Sequence, residues 1–182
     1  MLQARPITAG DPAYPLVKEL YHEAFPFKER FSLLALRLGA MKPEMEFLAY
    51  FDAERDNAFA GMSYTIEAGE YLYILYLAVP AESRGQGYGT QILDLLHEMY
   101  PDHSLVLEIE PLDKKADNYD QRVARLAFYE RNGFHLVGYD LFDGAVRYSM
   151  LATGDDFDVD AFSRSVRQLS HGLWRFKILP AT

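Results

Sequence analysis

Residues 71 to 79 read YLYILYLAV, a run without a single charge, and the chain then passes through PAESRGQGYGT into an apolar stripe at helical spacing. A strand that is apolar at nearly every position must be covered on both faces, so the run predicts a central strand of a layered sheet. The stripe of Ile92, Leu93, Leu95, Leu96, Met99 and Tyr100 predicts a helix directly behind the loop. Gly85, Gly87 and Gly89 therefore stand at a strand-to-helix junction. A helix that opens after such a loop presents unpaired N–H groups at the positive end of its dipole, and missing side chains let an anion reach them. The spacing does not satisfy G-x-G-x-x-G, because Thr90 stands three places after Gly87, and no G-K-[ST] follows. Dinucleotide and triphosphate sites lose ground, while a tight connection with no ligand stays open as the plain alternative.

The flanking pattern is mixed α and β. LQARPIT predicts a short edge strand, because Pro6 has no N–H to give a ladder. Leu16, Val17, Leu20, Tyr21 and Ala24 behind Pro15, then Phe31, Leu34, Ala35 and Leu38 up to Gly39, predict two amphipathic helices in series, with Pro26 ending the first. Residues 45 to 52, 58 to 67 and 71 to 79, separated by AERDN and AGE, predict an antiparallel meander. Residues 104 to 110 predict a strand, 121 to 131 a helix with Asn132-Gly133 as a left-handed cap, and FHLVGYD with AVRYSML a hairpin. Behind these, Val159, Phe162, Val166, Leu169 and Leu173 form a narrow helical stripe, and LWRFKIL alternates as a strand does. This tail packs on its own domain or on the partner of a homodimer.

Composition excludes several classes. The net charge of −9 repels polyanions, and no basic stripe offers a nucleic-acid surface. Cysteine is absent, and His22, His97, His103, His135 and His171 show no metal-ligand spacing, so thiolate and metal chemistry recede. No stretch approaches the ~18 apolar residues of a membrane span, and no basic-then-apolar leader opens the chain, which together predict a cytoplasmic location without a membrane partner.

Arg84 with Gly87 and Gly89 matches R-x-x-G-x-G, and this motif between an apolar strand and a helix resembles the acetyl-CoA pyrophosphate loop of the GNAT superfamily of N-acetyltransferases. LAFYERNGF, at 126 to 134, resembles that family's second signature, a helix ending in a tyrosine before G-F. The resemblance runs from ARPITAGD to RYSMLA, most of the chain. It implies an α+β, GNAT-like fold: one central, mostly antiparallel twisted sheet of about seven strands with about four helices. Residues 1–153 would form the acetyltransferase domain and 154–182 the C-terminal helix and strand extension.

The resemblance also implies roles. Backbone groups of Leu77, Ala78 and Val79 would pair with the pantetheine arm of acetyl-CoA, and the amides of Arg84, Gly85, Gln86, Gly87, Tyr88, Gly89 and Thr90 would wrap its pyrophosphate. Tyr129 would lie near the thioester sulfur and give a proton to the departing thiolate, with a backbone N–H near Ala78 receiving the developing oxyanion. The alternative for Tyr129 is a core aromatic. Where many family members carry an asparagine and an alanine, seven and four places before the tyrosine, this chain has Arg122 and Arg125. An arginine there can reach a phosphate or simply face solvent.

An amine must shed a proton before it attacks, so a base is useful at neutral pH. Alternation in LVLEIE places Glu108 and Glu110 on one face with Val106, and both are candidate bases; pairing with Arg122 or Arg125 is the competing reading. Glu29, in the connection between the first two helices, is a candidate for the acceptor site, which that connection borders in the family. The expected activity is acetyl transfer from acetyl-CoA to a primary amine of a small molecule or peptide. A CoA-binding sensor without turnover, or an interaction protein whose loop is only a turn, are the alternatives.

Overall fold

The computed structural model describes residues 1–8, 10–170 and 174–181. Among these residues eight strands form one mostly antiparallel sheet in the order β1-β2-β3-β4-β5-β7-β6-β8. By internal contacts the chain divides into two compact units, residues 1–66 with 74–101, and residues 67–73 with 102 onward.

The first unit opens with β1 (Leu2–Pro6), which pairs antiparallel with β2 (Met45–Asp52). As Pro6 predicts, β1 is an edge strand. Helix α1 (Tyr14–Ala24) has Pro15 in its first turn, where a missing N–H costs no helical bond, and buries Val17, Leu20 and Tyr21. Helix α2 (Leu33–Gly39) is capped by Ser32, whose Oγ accepts the Ala35 N–H at 3.1 Å. Its buried face departs from the expected stripe. Leu36 is buried, whereas Leu34 and Leu38 are 64% and 57% exposed. Leucines at 33, 34, 36 and 38 offer more than one apolar line around a helix of under two turns, so periodicity could not set its phase.

Strand β3 (Ala58–Ala68) pairs antiparallel with β2, with a register shift after Tyr50. Strand β4 (Tyr71–Ala78) carries the charge-free run and is buried at six of its eight positions. Val79 and Pro80 separate it from the 3-10 turn Ala81–Ser83. Helix α3 (Tyr88–Met99) then buries Tyr88, Ile92, Leu93 and Leu96, each apolar member worth roughly 2 kcal/mol of burial.

In the second unit the first residues of β4 pair in parallel with β5 (Ser104–Ile109), from Tyr71↔Ser104 to Tyr73↔Val106. Helix α4 (Tyr119–Arg131) ends at Asn132, and the left-handed residue of its cap is Gly133, at φ +82°. Strands β6 (His135–Asp143) and β7 (Val146–Ala152) form the expected hairpin, with a register shift between Leu136 and Asp140 where Gly138 takes φ +76°. Strand β7 also pairs with β5, placing Glu108 opposite Met150. Helix α5 (Val159–Leu169) buries Phe162 and Val166, and β8 (Phe176–Pro180) pairs antiparallel with β6 of the same chain. Leu173, the last member of the expected stripe on α5, lies outside the described residues. Among the described residues no helix is long and apolar enough to cross a membrane.

Candidate active site

The glycine loop lies in the first unit. Gly85 and Gly87 take φ +73° and +85°, and Gly87 is the N-cap of α3. A Cβ built on Gly85 would meet nothing within 4 Å, and one on Gly87 only the Gln91 amide at 3.8 Å. These glycines therefore answer a demand of backbone conformation and leave open space where side chains would stand. Among the described residues no side chain caps α3, and its first turn holds no acidic residue to offset the positive end of the helix dipole. The first amides of α3, from Tyr88 to Thr90, have no acceptor within the helix. The amide of Arg84 is committed elsewhere: it donates to the Ala81 carbonyl at 3.3 Å, while the Arg84 Nε reaches the Val79 carbonyl at 3.3 Å. Arg84 through Gly87 are exposed, Gly89 is half-buried and Thr90 is exposed.

The turn after β2 braces this loop. Tyr88 donates to Asp52 Oδ2 at 2.8 Å, and Arg55 Nη1 donates to Gln86 Oε1 at 2.7 Å. The Tyr88 hydroxyl is the main cause holding the Asp52 carboxyl below its ordinary range. Leu77 and Val79 are half-buried and Ala78 is buried. A Cβ on Gly61 would sit 2.6 Å from the Ala78 carbonyl oxygen and 2.9 Å from Ile92. Only glycine lets β3 come that close to the end of β4, and a lone glycine within a strand pattern is the signal that foretells such an approach.

Glu29 belongs to the same unit and is half-buried. Its carbonyl accepts from the Tyr76 hydroxyl at 2.7 Å, the same hydroxyl accepts the Phe31 N–H at 3.0 Å, and Tyr21 donates to the Phe31 carbonyl at 3.0 Å. The aromatic run on β4 thus supplies a backbone clamp, a role that composition alone did not reveal.

In the second unit Tyr129 is the one side chain of α4 that is buried. Its ring lies 5.0 Å from Phe128 and 5.5 Å from Phe134. Burial pushes its hydroxyl up to about 12, the Arg125 guanidinium opposes this, and the negative charge of Glu108 adds to it. The two glutamates differ sharply. Glu108 Oε1 accepts from the Tyr73 hydroxyl at 2.7 Å, inside β5. Glu110 lies just past the end of β5. Arg122 Nη2 at 2.9 Å and Arg125 Nη1 at 3.1 Å hold its two oxygens, and the Asn118 amide contacts both. Arg122 also donates to the Pro111 carbonyl at 2.8 Å and to Asn118 Oδ1 at 2.8 Å, so it ties the start of α4 to the end of β5.

A family model described as an acetyltransferase (GNAT) domain matches residues 46–136. Among solved structures, a protein assigned to the GNAT family of acetyltransferases from Bacteroides thetaiotaomicron superposes with a TM-score of 0.71 at 25% identity, over 94% of this chain and 97% of that one. An aminoglycoside 6'-N-acetyltransferase complexed with coenzyme A gives 0.60 at 18% identity, over 86% and 99%. The ribosomal-protein-S18-alanine N-acetyltransferase from Escherichia coli gives 0.59 at 19%, over 87% and 99%. A search of curated protein sequences finds no relative of this chain.

Proposed function

From the premise that the chain belongs to the GNAT family of acetyltransferases, whose acetyl donor is acetyl-CoA, we propose that it transfers the acetyl group directly to a primary amine of a small molecule or peptide. The observation that carries this reading is the glycine loop, where Gly85 and Gly87 take positive φ with open space around them directly before the N-terminus of α3. Burial keeps the Tyr129 hydroxyl protonated up to about pH 12, the state a proton donor needs.

The residues of the loop suit the donor. Positive φ at Gly85 and Gly87, with open space at both, leaves room for a pyrophosphate against the first amides of α3. Acetyl-CoA supplies the activated thioester, and the chain supplies the proton handling. Glu108 takes the proton that the acceptor ammonium must lose, directly or through water, and Tyr129 Oη carries the proton that the departing thiol takes up. Glu110, with Arg122, Arg125 and Asn118 on its oxygens, is poorly suited to a base and serves to fix the start of α4. Leu77, Ala78 and Val79 line the arm of the donor, and Glu29 contributes a carboxylate toward a cationic acceptor, in keeping with the net charge of −9. The enzymes of like fold named for aminoglycoside and ribosomal-protein alanine acetylation both act on amines.

The test is a thiol-release assay with acetyl-CoA against a panel of primary amines, run beside a thermal-shift titration. Turnover on an amine is expected. Saturable acetyl-CoA binding with no turnover across a broad panel would replace the enzyme by a CoA-binding sensor.

A further inference from the structure

Tyr73 is fully buried, and its ring is gripped from the C-terminal segment. Phe162 of α5 meets it edge-on at 5.3 Å, and Trp174 lies nearly parallel to it, at 5.8 Å and 10°. Trp174 is itself anchored, through Nε1 to Asp143 at 3.2 Å and through ring contact with Phe176 at 4.8 Å. A tyrosine side chain has two rotatable bonds, and fixing the ring plane fixes the direction of its hydroxyl. That hydroxyl reaches Glu108 Oε1 at 2.7 Å.

We propose that Tyr73 is a positioning residue for Glu108, and that Trp174 makes the C-terminal helix and strand part of the catalytic apparatus. The inference rests on the reading of Glu108 as the base. A carboxylate rotates easily about its last bond, and proton transfer needs its oxygen within hydrogen-bond reach of the proton it takes. The chain Trp174, Tyr73, Glu108 removes that freedom. A purely structural account, in which the bond merely satisfies a buried hydroxyl, predicts a loss of stability without a specific link to Glu108.

A double-mutant cycle on the full-length protein separates the two, with kcat measured on an amine accepted in the panel. Tyr73→Phe keeps the ring and should lower kcat about tenfold with the acetyl-CoA KM within about twofold, since a hydrogen bond to a charged group is lost. Glu108→Gln should lower kcat on the order of 10²-fold. In the Glu108→Gln background, Tyr73→Phe should then cost nothing further, because its effect passes through Glu108. Trp174→Ala should reproduce the Tyr73→Phe loss in the wild-type background and also vanish in the Glu108→Gln background. Losses that multiply would overturn the positioning role while leaving Glu108 as base. A Glu108→Gln protein with wild-type kcat would instead remove the base assignment, and the inference with it.

Discussion

The backbone N–H of Phe134 donates to the Tyr129 carbonyl at 3.1 Å, and the two rings meet edge-on 5.5 Å apart. With Gly133 at φ +82° donating to the Glu130 carbonyl at 3.1 Å, this is a Schellman cap with its customary apolar contact. The residues Y-E-R-N-G-F are thus one mechanical unit that fixes where Tyr129 stands.

Breaking the cap should loosen Tyr129. Gly133→Ala leaves open space around its Cβ yet forces a left-handed backbone, so it should destabilise by about 1 kcal/mol in urea unfolding. Phe134→Ala empties a buried site and should cost roughly 3–5 kcal/mol. An unchanged midpoint for Gly133→Ala would contradict the strain argument.

Removing the phenolic oxygen of Tyr129 should lower kcat by ~10²-fold and leave the acetyl-CoA KM nearly unchanged, because the ring and its contacts remain. A folded Tyr129→Phe protein with wild-type kcat takes Tyr129 out of the chemistry.

Gly87→Val should abolish the rise in melting temperature that acetyl-CoA gives the wild type, a rise that NAD and ATP at equal concentration should not produce. The steric surroundings accept a Cβ, so the penalty comes from the positive φ and from filling the space before the α3 amides. Normal binding by a folded variant would reduce the loop to a connector.

Glu110→Gln should lower stability by roughly 1–2 kcal/mol, between the values for surface and for buried pairs, while kcat stays within about threefold. The same substitution at Glu108 should do the reverse. Equal kcat losses at both positions would speak against dividing their roles.

The tyrosines set the alkaline limit of the fold. Burial pushes Tyr64 and Tyr129 up to about 12, and Tyr21 and Tyr50 higher still. The unfolded chain releases these protons near pH ~10 while the native state keeps them, so stability present below that pH is lost as pH rises toward 12. Urea midpoints from pH 9 to 11.5 should fall steeply, and less steeply for Tyr129→Phe. Parallel curves would mean that Tyr129 titrates normally.

Sequence pattern located the strands closely because alternation and turn residues act within a few positions. It marked 45 to 52 as a strand, and β2 spans Met45–Asp52. It misjudged the face of α2, where too many leucines share too few turns. In the candidate site, the glycine loop and Tyr129 were legible because each is a local motif. The long-range pairs around the site were not: Tyr73 with Glu108 is 35 residues apart, Asp52 with Tyr88 36, and Tyr73 with Trp174 meets only through the fold. A tyrosine in an apolar strand announces a buried ring, but the target of its hydroxyl is decided by tertiary structure.

The clamp from Tyr76 and Tyr21 seizes main-chain atoms of Glu29 and Phe31. The stretch from Phe27 to Arg30 can therefore be rewritten, in a combinatorial library or over generations, with these main-chain bonds kept. Novel acceptor preferences are accessible there by substitutions that keep the chain trace in place.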